Sequence, residues 1–299
     1  MIEGLVVKSY GKLCNVKVNN FIYKCEVRGK YKLSNKFSNP VVSGDKVEIS
    51  ITDKNNGVVE NILERKNYFA KESIRDKKGH LIGSNIDQTL IIFSIKNPYT
   101  KLIFLDKCLL SSIFFDIKPI IVFNKVDLLN DDEIIKLDKI SFEYKKAGFD
   151  VISISAKYQI RLDDIKSKLI DKRTLILGNS GVGKSTLINQ LSPYSQQRIS
   201  DISQKTGKGK QTTTFSEIIK INKNTLIIDT PGFKDFNLYL IDKSDVKYQY
   251  PEFNKFFDRC KFSNCSHINE PGCAVKKQIG DNIWEKRYNN YLGIIEGYS

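Results

Sequence analysis

Long hydrophobic runs are missing from this sequence: no apolar stretch reaches the roughly 18 residues that a membrane-spanning helix needs. The first residues, with an early Glu3, also lack the charged-then-apolar plan of a signal peptide. Histidine is scarce, with two residues, and cysteine amounts to six. Because hydrophobic residues still make up 40% of 299 residues, the chain can bury the cores of two or three domains. We therefore expect a cytoplasmic protein without a membrane span.

Acidic residues are outnumbered, since 34 Asp and Glu stand against 48 Lys and Arg and give a net charge of +14. Such an excess favours a polyanionic partner, because lysine and arginine displace counterions from phosphate backbones. A second explanation stays open, namely compositional drift toward Lys, Ile and Asn in an AT-biased genome. Charge alone thus supports nucleic-acid binding only in part.

Residues 1–66 predict an all-β domain. Five short stretches alternate apolar and polar residues, and turn signals such as Gly11, Gly29 and Gly44 separate them. Five strands in this length favour a small OB-like barrel. Residues 67–84 are polar and basic and contain glycine, so we predict a linker or a mobile hairpin there.

Over residues 85–238 the pattern changes to strands that alternate with helices. Apolar stretches such as TLIIFSI and PIIVF indicate buried strands, and DDEIIKLDKISFEYKKAG indicates an amphipathic helix with acids at its start. This alternation predicts an α/β domain with a parallel sheet covered on both faces. Residues 239–299 are charged and aromatic without a β pattern, and we predict helices over 242–258 and 274–296.

The strongest motif is GNSGVGKST, which follows an apolar strand and opens a helix. It fits the G-x-x-x-x-G-K-[ST] phosphate loop, in which glycines let backbone N–H groups turn toward phosphates. Lys184 is predicted to bridge the β- and γ-phosphates, and the Ser185 hydroxyl to bind Mg²⁺. The predicted phosphate-binding residues are Gly178, Asn179, Ser180, Gly181, Val182, Gly183, Lys184, Ser185 and Thr186.

Two further motifs point to a purine: NKVD at 124–127 and SAK at 155–157, each after an apolar strand. Asp127 can accept hydrogen bonds from N1–H and N2–H of guanine, a pair of donors that adenine does not offer. Asn124 is expected to tie this loop to the phosphate loop, and the Lys125 stem to cover the purine. The predicted base-binding residues are Asn124, Lys125, Val126, Asp127, Ser155, Ala156 and Lys157.

The motif DTPG at 229–232 follows the strand TLIID and belongs to the γ-phosphate end of such a site. Asp229 is expected to hold Mg²⁺ through a water, and the Gly232 N–H to sense the γ-phosphate. A threonine should complete the Mg²⁺ shell when GTP is bound, and the sequence leaves open which. The candidates are Thr212, Thr213 and Thr214.

The order of these motifs is unusual. Most GTPases run phosphate loop, switch threonine, DxxG, NKxD and SAK, whereas here NKxD and SAK come first. We therefore predict a circularly permuted P-loop GTPase domain at 85–238. The switch after DxxG then leads directly into the C-terminal domain, so the ordering of that switch with GTP can move the C-terminal domain.

Three cysteines and one histidine cluster within fourteen residues as Cys260-x4-Cys265-x-His267-x5-Cys273. Three thiolates and one imidazole suit a tetrahedral Zn²⁺, and a full ligand set favours a structural role over catalysis. The fold class predicted is thus α/β, with an N-terminal all-β OB-like barrel and a C-terminal helical zinc-binding domain at 239–299. The remaining cysteines lie in apolar stretches and are predicted core residues: Cys14, Cys25 and Cys108.

Together these residues resemble the RsgA (YjeQ) family of small-ribosomal-subunit GTPases. The resemblance covers nearly the whole chain and includes the permuted order, GNSGVGKSTLIN, the triple threonine and FDRCKFSNCSHINEPGCAV. It implies GTP hydrolysis stimulated by the 30S subunit and a role in late 30S maturation. It also implies contact of the barrel and the zinc domain with 16S ribosomal RNA. We expect a monomer that exchanges GTP and GDP.

The sequence departs from the family at one position. Members usually carry a histidine just before the three threonines, to which a catalytic role is attributed, but this chain has Gln211. Many GTPases place a glutamine directly after DxxG to orient water, and here that position is Phe233. We hypothesise that Gln211 orients the attacking water; the alternative is a solvated loop residue. The predicted catalytic residues are Lys184, Gln211 and Gly232.

Three rival functions remain open. A permuted GTPase of the large subunit is disfavoured by the barrel and the Cys/His cluster. An RNA-binding scaffold that senses nucleotide but hydrolyses it poorly stays open because of Gln211 and Phe233. An ATPase is disfavoured by Asp127.

Overall fold

The computed structural model describes residues 1–28, 36–73, 77–192, 215–233 and 236–297. Its strands form one sheet of 11 strands and a separate two-stranded hairpin. None of the helices described is both long enough and apolar enough to cross a bilayer.

The N-terminal part is a closed five-stranded barrel, as predicted. The strands pair in the order β1-β2-β3-β5-β4, and β4 returns to pair with β1. Alternating residues such as Val16, Val47 and Val59 point inward and are fully buried, together with Cys14 and Cys25. The strands are β1 Ile2–Ser9, β2 Leu13–Val18, β3 Phe21–Val27, β4 Lys46–Ile51 and β5 Asn56–Ile62.

A hairpin follows the barrel, formed by β6 (Tyr68–Glu72) and β7 (Gly79–Ser84). Its side chains Phe69 and Leu81 are almost completely buried in the same cluster as the helices of the α/β domain. Of the two alternatives predicted for residues 67–84, the structure has the hairpin and not the linker, because apolar side chains of both strands enter a core that the polar composition of the segment concealed.

The next part of the sheet has five parallel strands in the order β10-β9-β8-β11-β13, as the α/β pattern predicts. Strand β12 pairs antiparallel with β13, and β1 of the barrel pairs with β12, so barrel and α/β domain share one sheet. The strands are β8 Gln88–Phe93, β9 Lys118–Phe123, β10 Asp150–Ser153, β11 Arg173–Leu177, β12 Glu217–Lys220 and β13 Leu226–Asp229.

Helices cover both faces of this sheet. Successive residues of β8 point to opposite sides: Ile91 packs with α1 and α2, whereas Leu90 packs with α3 and α4. Helix α2 begins with a capping box between Asn130 and Glu133 and has the predicted acids in its first turn. The helices are α1 Leu102–Phe114, α2 Asp131–Lys146, α3 Leu162–Leu169 and α4 Lys184–Leu191.

The C-terminal part is less helical than predicted. Over 242–258 the structure has only one-turn pieces, including α5 (Pro251–Asn254), and over 274–296 the one long helix is α6 (Glu285–Glu296). Pro251 interrupts the first predicted helix and begins α5 instead, and Gly280, with φ +88°, interrupts the second before α6 begins. A separate core joins this part to Leu110 of α1.

Candidate functional site

Four loops meet at the carboxyl edge of the parallel strands. Each lies at the end of a strand: 124–127 directly after β9, 155–157 one residue after β10, 178–186 directly after β11, and 229–232 beginning with the last residue of β13. In open α/β sheets this edge is where ligands bind. Although the motifs occur in a permuted order along the chain, they therefore lie together at one edge of the sheet.

The phosphate loop depends on its glycines. Gly178 has φ +147°, and a Cβ there would lie 2.4 Å from the carbonyl oxygen of Ile92. Gly183 has φ +98°, and its Cβ would lie 2.3 Å from Nδ2 of Asn124. Any larger residue would collide with these neighbours in a strained backbone conformation. The loop then opens α4, a geometry suited to binding anions.

Lys184 lies in the centre of this loop and is 8% exposed. Its Nζ donates hydrogen bonds to the carbonyl oxygens of Gly178 at 2.8 Å and Asn179 at 3.1 Å. Burial lowers the pKa of Lys184 to about 8, although the Asp229 carboxylate acts in the opposite direction. The ammonium group is thus held at the place where the motif requires a cation.

Asn124 connects three motifs. Its Nδ2 donates to the carbonyl oxygen of Val182 at 2.8 Å, and its Oδ1 accepts a bond from the Ala156 N–H at 2.9 Å. The side chain is 5% exposed. The link that the sequence predicts between the base loop and the phosphate loop is present, and it extends to SAK.

Asp127 and Lys125 of the base motif are also oriented by hydrogen bonds. Ser155 Oγ donates to Asp127 Oδ1 at 2.5 Å, which fixes the rotation of the carboxylate. Lys125 has a left-handed backbone, φ 68°, and its Nζ donates to the carbonyl oxygen of Gly181 at 2.6 Å. The stem of Lys125 therefore lies beside the phosphate loop, where a purine would be covered.

Asp229 is the last residue of β13 and is 9% exposed. Downstream, Gly232 approaches the phosphate loop so closely that a Cβ would lie 2.7 Å from Cα of Ser180 and 3.1 Å from Nζ of Lys184. Phe233 is buried beyond it, and its N–H donates to the Gly178 carbonyl at 3.3 Å. DTPG thus faces the phosphate loop.

The structure brings together every predicted nucleotide residue that it describes. Ser185 and Thr186 are exposed in the first turn of α4, and Lys157 is exposed with Nζ 4.7 Å from the Tyr158 ring centre. Four predicted residues lie outside the described part of the chain: Gln211, Thr212, Thr213 and Thr214.

One loop at this edge was missed by sequence reasoning. The carbonyl oxygen of Asn97 accepts a bond from Nζ of Lys125, and Pro98 lies 3.7 Å from the Cβ position of Gly181. The available signal was positional: this loop follows β8, the central strand beside β11, and so had to emerge at the same edge.

The cysteine cluster converges as predicted. The ligand atoms of Cys260, Cys265, His267 and Cys273 all lie within 4.8 Å of one another. Nδ1 of His267 is 3.4 Å from Sγ of Cys273 and 3.7 Å from Sγ of Cys260. Three sulfur donors and one imidazole nitrogen facing one point can hold a metal ion, and the closed four-donor set fits tetrahedral coordination.

Glu270 organises the loop between two of these ligands, a role that sequence reasoning missed. Its carboxylate accepts bonds from the backbone N–H groups of Ser266 at 2.6 Å, Ile268 at 2.9 Å and Asn269 at 3.1 Å. Partial burial opposes ionisation, but these hydrogen bonds lower the pKa of Glu270 to about 2. Its position between the histidine and the last cysteine was the only signal.

A buried ion network joins the C-terminal part to the α/β domain. Arg287 of α6, 1% exposed, binds Asp106 of α1 at 2.5 Å and Glu252 of α5 at 2.7 Å. Asp106 also accepts bonds from Tyr144 at 2.8 Å and Asn290 at 2.5 Å. Since these residues are far apart in sequence and belong to no motif, the sequence offered no signal for them.

The fold and the site define a P-loop GTPase whose motifs are circularly permuted around an otherwise ordinary parallel sheet. The base motifs precede the phosphate loop in the chain, yet Asn124 joins them to it in space. The class is that of a GTP-hydrolysing enzyme.

Comparison with known proteins identifies the family. The RsgA GTPase family matches residues 62–239, and the RsgA N-terminal domain matches residues 3–59. The chain belongs to the RsgA family of GTPases.

Relatives align along almost their whole length. The small ribosomal subunit biogenesis GTPase RsgA of Christiangramia forsetii is 38% identical over 99% of this chain and 96% of its own. The protein of the same name from Clostridium botulinum is 36% identical over 99% and 97%.

Two solved structures are similar to this one. The crystal structure of YjeQ from Thermotoga maritima superimposes with a TM-score of 0.75 at 29% identity, covering 99% of this chain and 98% of its own. YloQ, described as a circularly permuted GTPase, has a TM-score of 0.71 at 28% identity, with coverage of 99% and 94%.

Proposed function

We propose that this protein binds the 30S ribosomal subunit, acts in its late assembly, and hydrolyses GTP to GDP and phosphate with stimulation by that subunit. The relatives named for small-subunit biogenesis align over 99% of the chain, so the aligned region spans the barrel, the nucleotide site and the cysteine cluster. A net charge of +14 suits contact with 16S ribosomal RNA. The observation that carries the proposal is the Asn124 junction, which unites base and phosphate motifs at one edge.

Guanine selection rests on Asp127 in this proposal. Its carboxylate, oriented by Ser155, accepts two hydrogen bonds from the guanine edge. Lys125 covers the base, and the backbone N–H groups after Ser155 meet O6. Adenine would place a lone pair and no second donor against Asp127, which disfavours ATP.

Phosphate binding and catalysis rest on positioning and electrostatics. Loop N–H groups and the start of α4 surround the phosphates, and Lys184 leaves the Gly178 carbonyl to bridge the β- and γ-phosphates. Ser185 and Asp229 would hold Mg²⁺, and that ion would neutralise charge on the phosphate oxygens. The Gly232 N–H senses whether the γ-phosphate is present.

Water activation is the step that the free protein lacks in this proposal. The residue after DTPG is Phe233, which is 4% exposed and has no hydrogen-bonding group in its side chain. We infer slow basal turnover, with Gln211 orienting the attacking water when the 30S subunit is bound. The bound nucleotide, GTP or GDP, then determines how long the protein stays on the subunit.

Zinc in the four-ligand set has a structural role in this proposal and fixes the fold of the C-terminal domain. The barrel's own hydrophobic cluster supports a domain at 1–66. The proposed C-terminal domain, 239–299, has a second cluster, which also includes Leu110 of α1. The α/β domain occupies 85–238, with the hairpin of 67–84 packed onto it.

The test is phosphate release from GTP with and without purified 30S particles, with 50S particles as the control for subunit identity. We expect stimulation by 30S alone.

Asp127→Asn should shift the nucleotide preference from GTP toward XTP, because an amide can donate to the O2 of xanthine where guanine carries N2–H₂.

Two results would count against the proposal. Equal stimulation by 50S particles would assign the protein to the large subunit. Nucleotide binding without release of phosphate under any condition would favour an RNA-binding scaffold that only senses nucleotide.

A further inference from the structure

The barrel contacts the α/β domain at one end of β12. Ser43 Oγ, fully buried in the barrel loop after β3, donates to the carbonyl oxygen of Ser216 at 2.7 Å. Lys8 of β1 forms an ion pair with Glu217 at 2.8 Å. We call the three barrel residues Lys8, Tyr10 and Ser43 the latch.

Tyr10 completes the latch. Its ring meets the ring of Phe215 edge to face, with centres 5.1 Å apart. A β-bulge between Val6 and Lys8 turns β1 here, so that Val6 stays in the barrel core while Val7 joins the core of the α/β domain. Bulges re-aim side chains in this way, and this one lets Lys8 reach β12.

The end of β12 that the latch holds is the end beside Asp229. Glu217 is the register partner of both Lys8 on β1 and Asp229 on β13. The β12–β13 ladder has four residue pairs, and Glu217–Asp229 is its last. Terminal pairs of a short ladder open most readily, so contacts that hold Glu217 also hold Asp229.

No other strand of the described chain supports this end. On its far side β12 pairs only with Lys8 of β1. The barrel loop also reaches β11, since Arg173 donates to the Gly44 carbonyl at 2.9 Å. Strand β11 continues along the chain into the phosphate loop. Strand β12 instead contacts Asp229 through its pairing with β13.

We propose that Lys8, Tyr10 and Ser43 are positioning residues for Asp229, so that the seating of the barrel on β12 sets how well the site holds Mg²⁺ with GTP. The inference rests on the proposed role of Asp229 in that site. It gives the barrel a second task besides any contact with RNA: a partner that shifts the barrel alters the metal end of the nucleotide site and leaves the base end unchanged.

The experiment titrates MgCl₂ against the full-length protein with a fluorescent, non-hydrolysable GTP analogue. Lys8→Glu and Glu217→Lys should each raise the half-saturating Mg²⁺ concentration roughly 3- to 10-fold, the range typical of coupling between contacting residues. Affinity for the analogue without Mg²⁺ should stay unchanged. The double variant K8E/E217K restores the ion pair and should return the Mg²⁺ midpoint toward the wild-type value.

Matched variants separate positioning from folding. Tyr10→Phe keeps the ring contact and should behave as wild type, whereas Tyr10→Ala should raise the Mg²⁺ midpoint. Lys17→Glu makes the same charge change on β2, away from β12, and should have no effect. Single variants with wild-type Mg²⁺ midpoints would overturn the latch alone. A wild-type protein that does not bind the analogue would overturn the proposed nucleotide site, and the latch with it.

Discussion

At the scale of single residues, Lys184 is a charged group that the nucleotide site keeps largely out of water. Burial lowers its pKa from 10.5 to about 8, and within the described part of the chain its hydrogen bonds go to backbone carbonyls. The unfolded chain therefore binds more protons than the folded chain between those pH values. This residue makes the nucleotide-free protein more stable as pH rises through that window.

Nucleotide reverses this balance, because phosphates favour the charged ammonium. We predict that GDP binding takes up protons above about pH 8 and that affinity falls as pH rises further. Calorimetry at pH 8.5 in two buffers of different ionisation enthalpy measures this uptake. Lys184→Arg keeps its charge at that pH and should remove the uptake. Equal uptake in wild type and variant would assign the proton to another group.

Residues within motifs could be predicted from the sequence, whereas their supports could not. The Asn124 link was predictable because its chemistry requires the phosphate loop nearby. Asn97 contributes its carbonyl oxygen, and Glu270 accepts hydrogen bonds from backbone N–H groups, so neither contact leaves a motif in the sequence. Position along the chain was the one signal for either residue, and the contacts themselves are seen only in the folded structure.

At the scale of elements, the loop 266–272 of the cysteine cluster carries a second test. Three backbone N–H groups converge on Glu270 and fix the turn between His267 and Cys273. We predict that Glu270→Ala lowers zinc affinity roughly 10- to 100-fold, as removal of outer supports does at other metal sites.

Competition with a chromophoric chelator measures this affinity directly. Glu296→Ala, at an exposed position of α6, removes the same charge and is the control. An unchanged affinity for Glu270→Ala would mean that the four ligands alone fix the loop.

Strands and long helices were predicted well, because alternating or 3.6-residue patterns report one-sided burial directly. The hairpin β6–β7 was harder, since its strands are short and the four apolar residues that enter the core are set among polar and basic residues: Phe69, Ala70, Leu81 and Ile82. The helices predicted for the C-terminal part were wrong for another reason. The turns there are set by the cysteine cluster and by proline and glycine, and hydrophobic periodicity does not report them.

At the scale of the whole molecule, the Arg287 network holds the C-terminal part on α1. Both carboxylates are buried, so Arg287→Met would leave two charges without their counterion. We predict a loss of about 3–5 kcal/mol in the free energy of unfolding. Urea unfolding should show the C-terminal part separating from the α/β domain in an earlier transition.

Arg161→Met is the matched control, because its pair with Asp164 is exposed. Exposed pairs contribute about 0–1 kcal/mol, and this variant should unfold as the wild type does. A single transition with wild-type midpoint in Arg287→Met would show that apolar packing alone holds the two parts together.

The permuted order of the motifs also has a consequence during synthesis of the protein. The barrel leaves a translating ribosome first, and β8, β9 and β10 emerge next, before β11 has left the exit tunnel. Strand β8 of the nascent chain then carries an open edge, a row of unpaired peptide groups that persists until residue 173 emerges. The loops that read the base are made before the loop that grips phosphate, so a newly made molecule captures nucleotide only after β13 has left the exit tunnel.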